Sequence, residues 1–277
     1  MRRSALVLLV LTAPLSAQKD DFLARARDAS ARFRERAVAI AEGYRPIGPD
    51  APAMGQHWIN LGLATEGVID PSRPPILTYT TIDGRPTLLG VAFVAPLPPG
   101  GRPPDSPAGP ALWHVHARAL EAEGHVLSHA HGPAAHDSGW RVAVLHAWVW
   151  AGNPEGPFAA ENWTLPYLRM GVLPAAGAPR GAARALALAT GGEAFYTAQL
   201  RVAADLDGAD ARAVADVTAG YARRMATWAA RRRGRNLDPG DIAWLEMTWQ
   251  EYWQDLSHAA SATVRPRLLR AASTLDP

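Results

Sequence analysis

The chain has 277 residues, 28 basic and 26 acidic side chains, ten tryptophans and no cysteine. The absent thiol excludes disulfides, thiolate zinc and iron–sulfur sites, c-type haem attachment, a lipoprotein anchor and a cysteine nucleophile. Lys19 is the single lysine, so Schiff-base chemistry or a phosphate-cradling Walker lysine is open to that residue alone.

Residues 1–17, "MRRSALVLLVLTAPLSA", read as a signal peptide: Arg2 and Arg3 precede a short apolar run, and small residues precede Gln18. The run is far shorter than the ~20 residues a spanning helix needs. No later stretch supplies one. The expectation is a periplasmic or secreted protein that does not span a membrane. Without residues 1–17, 26 basic side chains face 26 acidic ones, so a nucleic-acid partner has no electrostatic basis.

Residues 18–43 carry Phe22, Ala26, Ala29, Phe33, Ala37 and Ile40 at helical spacing, ending at Gly43, and predict an N-terminal helix with acids in its first turn. The stretch from Tyr44 to Gly62 reads as irregular because it is rich in Pro and Gly. "PILTYTTIDGRPTLLGVAFVAP" reads as two strands joined through Asp83-Gly84, a hairpin signal. After a Pro/Gly loop at 97–110, "ALWHVHAR" alternates like a strand, and "WRVAVLHAWVWA" is the strongest strand pattern in the chain. Residues 193–206, 210–234 and 239–260 read as helices, the last opening with Asp238 as N-cap and Pro239 at N1. The predicted class is α+β: a small antiparallel sheet unit over 44–170, flanked by the N-terminal helix and a helical region over 171–277.

Seven of the nine histidines lie between 114 and 146. His114 and His116 alternate on one predicted strand and so project together. His146 sits mid-strand among Val, Leu and Trp, where its ring nitrogens need partners away from bulk water. His57 follows Met54-Gly55-Gln56 in the stretch read as a loop. Imidazoles from a strand and its neighbours are a common way to hold a divalent metal. The same residues can equally be hydrogen-bonded core histidines. Glu121 and Glu161 are the candidate catalytic bases. For Glu121 the alternative is simple solvation; for Glu161 it is the turn chemistry of "NPEGPFAAENW". Trp58, Trp113, Trp140, Trp148, Trp150 and Trp163 flank these histidines. They read either as core filling or as the wall of a pocket for a small apolar or aromatic ligand. The basic run "RRRGR" at 231–235 reads as a solvated helix end, the alternative being an anion site. No GxSxG elbow, P-loop, dinucleotide fingerprint or HExxH motif occurs.

Four segments, "MGQHW", "PPILTYTTIDGRPTLLGVAFV", "HGPAAH" and "LHAWVWAGNPEGPF" with Asn162 after it, resemble a group of exported bacterial proteins to which no activity is assigned. The resemblance spans about 54–163 and implies roles for His57, His131, His136 and His146. Members of that group often carry glutamate where this chain has Ala92. His114-Val-His116 with Glu121 also resembles, over a dozen residues, the HxHx4E metal motif of cupins; the proline–glycine turn with His and Asn that follows in cupins is not matched.

Together these readings lead to the expectation of an exported protein binding divalent zinc, copper or iron through His57, His114, His116, His131 and His146, with metal-dependent catalysis open. The alternative is a non-catalytic ligand-binding or assembly module, homo-oligomeric or not, with structural histidines.

Overall fold

The computed structural model describes residues 15–116, 121–122, 125–126, 141–173 and 179–275. The first helix, α1 (Leu15–Ser30), is followed by a 3-10 turn over Ala31–Arg34 and by α2 (Arg36–Ala41). The sequence predicts one helix here. The buried Ser30 hydroxyl donates to the Ala26 and Arg27 carbonyls, at 2.6 and 3.2 Å, and such back-bonding competes with the helical ladder. The change of path buries Phe33 against Tyr44. Because α1 includes Leu15, Asp20 and Asp21 fall beyond its first turn.

The stretch expected to be irregular instead forms a hairpin, β1 (Arg45–Ala51) and β2 (Gly55–Ile59). Its prolines, Pro46 and Pro49, are tolerated because β1 is an edge strand whose register shifts between Ile47 and Ala51. After α3 (Leu61–Glu66) come β3 (Ile76–Ile82) and β4 (Arg85–Leu97), joined through Asp83 and Gly84 at φ 51° and 74°. Two successive positive φ values are what a type I′ hairpin turn demands. Then follow β5 (His114–His116), the two-residue strands β6 (Glu121–Ala122) and β7 (His125–Val126), and β8 (Arg141–Ala147). Six strands make one antiparallel sheet in the order β1-β2-β3-β4-β8-β5.

Alternation sorts the sheet into two faces. Trp58, Leu77, Val91, Phe93 and Leu145 lie on one, packed with Phe22 and Phe33 of the N-terminal segment. The opposite face carries Ile59, Ile76, Ala92, Val94, Val142 and Val144. An extra residue in β4 opposite Thr78/Tyr79 turns Leu89 out of register, and it packs against Trp148 and Leu165.

Beyond the turns of 148–164, the regular elements of the described chain are helices: α4 (Leu165–Met170), α5 (Arg180–Ala187), α6 (Glu193–Ala203), α7 (Gly208–Ala230), α8 (Pro239–Ala259) and α9 (Arg265–Leu275). The Asp238 carboxylate accepts from the Asp241 amide at 2.8 Å, and Asp241 accepts from the Asp238 amide, a reciprocal cap that starts α8 where the sequence places it. Helices α7 and α8 pack together through Tyr221 on Tyr252 and Trp228 on Trp244, with Leu245 and Trp249 buried beneath. The α+β class with N- and C-terminal helices is therefore observed.

All six tyrosines belong to these cores or their margins. Burial pushes the Tyr44 phenol up to about 12, and burial is also the leading cause raising Tyr79, Tyr167, Tyr196, Tyr221 and Tyr252. A phenol whose folded pKa lies above the unfolded value of ~10 contributes stability fully present below pH ~10 and lost as pH rises through the folded value. An alkaline ultraviolet titration should therefore show no free-tyrosine step near pH 10 in native protein; tyrosinate should appear together with unfolding. A native-state step comprising several tyrosines near pH 10 would contradict these environments.

Candidate metal centre

Strand register decides which side chains share a face. His57 on β2 opposes Thr78 on β3, and Thr78 opposes Gly90 on β4. Ala92, two residues on and on the same face as Gly90, opposes His146 on β8. Val144, two residues before His146, opposes His114 on β5. His57, His146 and His114 thus stand on the face opposite the N-terminal helix. Reading His57 as a loop residue is corrected: it is central in β2 and buried.

The strands β2 and β8 are three steps apart, which in a flat sheet is about 14 Å at ~4.8 Å per step. The His57 and His146 ring centres are 5.3 Å apart, with their planes nearly perpendicular. The sheet is therefore strongly curled, and these rings meet across its concave face. Bulges at Leu89 and in β1 accentuate strand twist and bending. The residues between the two imidazoles are small: Thr78, Gly90 and Ala92. At Gly90 a Cβ would come 2.4 Å from the Ala147 carbonyl oxygen, so only glycine lets β8 approach this closely. His114 reaches the same group, its ring centre 5.1 Å from that of His146, and is half-buried. The Trp148 ring lies 5.6 Å from that of His146, its indole N–H donating to the Ala159 carbonyl at 2.7 Å.

The remaining predicted site residues are distributed differently. His116 pairs with Val142 in the β5–β8 ladder, and only its backbone is described. The same holds for Glu121 in β6, while His131 and His136 lie outside the described residues. Glu161 faces elsewhere: its carboxylate accepts from the Trp163 indole at 2.8 Å, and the guanidiniums of Arg180 and Arg184 sense its charge. Those arginines belong to α5. The turn reading of 153–163 accounts for its neighbours, with the Asn153 side chain donating to the Glu161 carbonyl and Asn162 to that of Gly152. Trp58, Trp113 and Trp150 pack in the opposite core, Trp163 packs against the helices, and Trp148 stands beside the histidines. Among the described residues no three His, Asp or Glu side chains are already set around one point as ligands.

Further along β3 the same face turns polar. Thr80 approaches Asp50 at 3.5 Å, and Asp50 accepts from Arg169 of α4 at 2.5 Å. The Arg169 side chain is only 4% exposed and also donates to the carbonyls of Thr190 and Ala51. Burial pushes the Asp50 carboxyl above its ordinary range, with Arg169 opposing the shift. Burial likewise draws the guanidinium down, but an arginine starts so high that it stays charged. The pair forms one wall of a cleft of about 570 Å³ between the β3–β4 turn and the helix break at Thr190-Gly191.

Gly90 and Thr78 were not singled out as site residues by the histidine pattern, whereas Trp148 was among the tryptophans flanking it and Ala92 entered only through the resemblance. A glycine in the middle of an otherwise apolar strand is the signal that marked this close approach. No family model, curated protein or solved structure matches this chain.

Proposed function

We propose that this protein binds one divalent metal ion on the concave face of its sheet through His57, His146 and His114. The observation that carries the reading is the spacing of the three rings, 5.3 and 5.1 Å from His146 to its two neighbours. Imidazoles bound at ~2.0–2.1 Å in tetrahedral directions, with ring centres ~1.1 Å behind the ligating nitrogens, have centres about 5 Å apart. Rotation of the side chains is still needed to aim three nitrogens at one point, and Gly90, Ala92 and Thr78 leave little bulk to oppose it. Nitrogen ligands without thiolate suit zinc, copper or non-haem iron. Three protein ligands leave a fourth position for water, which such a metal acidifies. Glu161, held by Trp163 on the helical side, is not part of this site. Export to the periplasm or medium belongs to the same proposal and rests on residues 1–17.

The test is elemental analysis of protein purified without an affinity tag, followed by titration of the metal-stripped chain with zinc, copper(II) and iron(II). One equivalent per chain is expected, with a rise in melting temperature on binding. Metal-free protein that takes up no ion at micromolar concentrations would return the three rings to a structural role.

A further inference from the structure

A second feature lies far from the histidines, on the outer surface of the α7–α8 pair. Two i, i+4, i+8 rows run side by side along the end of α7: Arg223, Thr227 and Arg231, then Arg224, Trp228 and Arg232. Trp244 of α8 stacks on Trp228 with ring centres 5.2 Å apart and planes 9° from parallel. Arg232 lies over Trp228 at 4.2 Å and Arg224 over Trp244 at 5.1 Å. Together they line a groove of about 380 Å³.

The four arginines are not equivalent. Arg224 is paired with Glu251 at 2.7 Å, and Arg232 gives its Nε to Asp241 at 2.6 Å. Carboxylates of α8 thus orient both, and the indoles support them. Arg223 and Arg231 are exposed, and among the described residues neither has a carboxylate within ion-pair distance. Eight residues of helix separate them by about 12 Å, with the Thr227 hydroxyl midway. Four guanidiniums against two carboxylates leave the groove with two uncompensated positive charges. The negative end of the α7 dipole accounts for the arginines at and just beyond its C-cap, Arg231 and Arg232. It does not account for Arg223 and Arg224 two turns earlier.

We propose that this groove binds a phosphate-type oxyanion carried on a compact apolar body, either a free organic phosphate or an anionic lipid headgroup. Guanidinium matches such an oxyanion with paired N–H donors. Arg224 and Arg232 are held in place beforehand, Arg223 and Arg231 supply the uncompensated charge, and the indole edges meet the apolar part. The site is independent of the histidines.

The experiment is calorimetric titration of the full chain with pyrophosphate and with phenyl phosphate, beside co-sedimentation with phosphatidylglycerol-containing and pure phosphatidylcholine vesicles. Binding weakened by added salt is expected, with phenyl phosphate outperforming pyrophosphate per charge if the indole edges contribute. Preference for the free compounds or for the anionic vesicles identifies the source. The double variant R223E/R231E should lose binding at least about tenfold, as expected when charge-assisted bonds become repulsive. R201E/R212E, with the same change in net charge at exposed positions outside the groove, should not. His146→Ala should bind as the parent does, separating this site from the metal proposal. Absence of binding by every probe overturns the assignment, and so does an equal loss in both double variants, which would mark a net-charge effect.

Discussion

Replacing His146 by alanine is expected to abolish stoichiometric metal uptake while the far-ultraviolet spectrum stays unchanged. His146 is the ring common to both close pairs, 5.3 Å from His57 and 5.1 Å from His114. Its loss leaves two imidazoles on strands that do not adjoin. Truncation also opens a small hole in a buried position, at a cost of about 1–3 kcal/mol, which a domain of this size should survive. His57→Ala should behave alike, because that ring is equally buried. His114→Ala should weaken binding less completely, since a half-exposed ligand is more readily replaced by water. Glu161→Gln should leave metal content unchanged. Full retention of one equivalent by both His146→Ala and His57→Ala would remove the proposed centre.

The second large effect belongs to the helical half. Trp249→Ala should destabilise the protein by about 3–5 kcal/mol, the usual cost of deleting a large buried aromatic. Trp249 is 4% exposed and touches Tyr196, Tyr252 and Trp253 at ring-centre distances of 5.3–5.5 Å. It joins α6 to α8, so the cavity has walls on separate helices and cannot collapse by moving one side chain. Denaturant titration with an unchanged slope and a lower midpoint is the expected record. Trp249→Phe should recover part of the loss. A cost below about 1 kcal/mol for the alanine variant would mean that the neighbouring rings close over the gap.

Much of this architecture could be read from residue spacing because its elements are amphipathic and carry local punctuation. The Asp83-Gly84 turn and the Asp238-Pro239 start are local chemistry, and each structure-forming bond there lies within four residues. Helix α5 is harder to read: Ala182 to Ala187 are all buried, so "RGAARALA" has no solvated face to set a period. The β1–β2 hairpin was hidden for another reason. Proline and glycine argue against a strand in the middle of a sheet, but they are compatible with an edge strand carrying a bulge, and edge position is a property of the whole sheet. The site divides the same way. His146 declared itself by its apolar neighbours, and His114 by alternation. That His57 meets them depends on the curl of four strands, which no local pattern contains.

Arg169 has a consequence for how independently the two halves of the chain can exist. One guanidinium ties the end of β1, through Asp50 and Ala51, to the carbonyl of Thr190 in the break before α6. Those partners are separated from Arg169 by 119, 118 and 21 positions. The first two are long-range contacts of the kind that raise contact order and slow folding. Without Arg169 of α4, the sheet edge presents a half-buried carboxylate with no counter-charge, and the helix break presents a carbonyl without this donor. A fragment ending before residue 165 would inherit the first defect and one beginning after residue 170 the second. One side chain of the short helix between them thus serves both the histidine-bearing sheet and the helical bundle, beside the Arg233–Asp83 pair and the packing of Leu89 on Leu165.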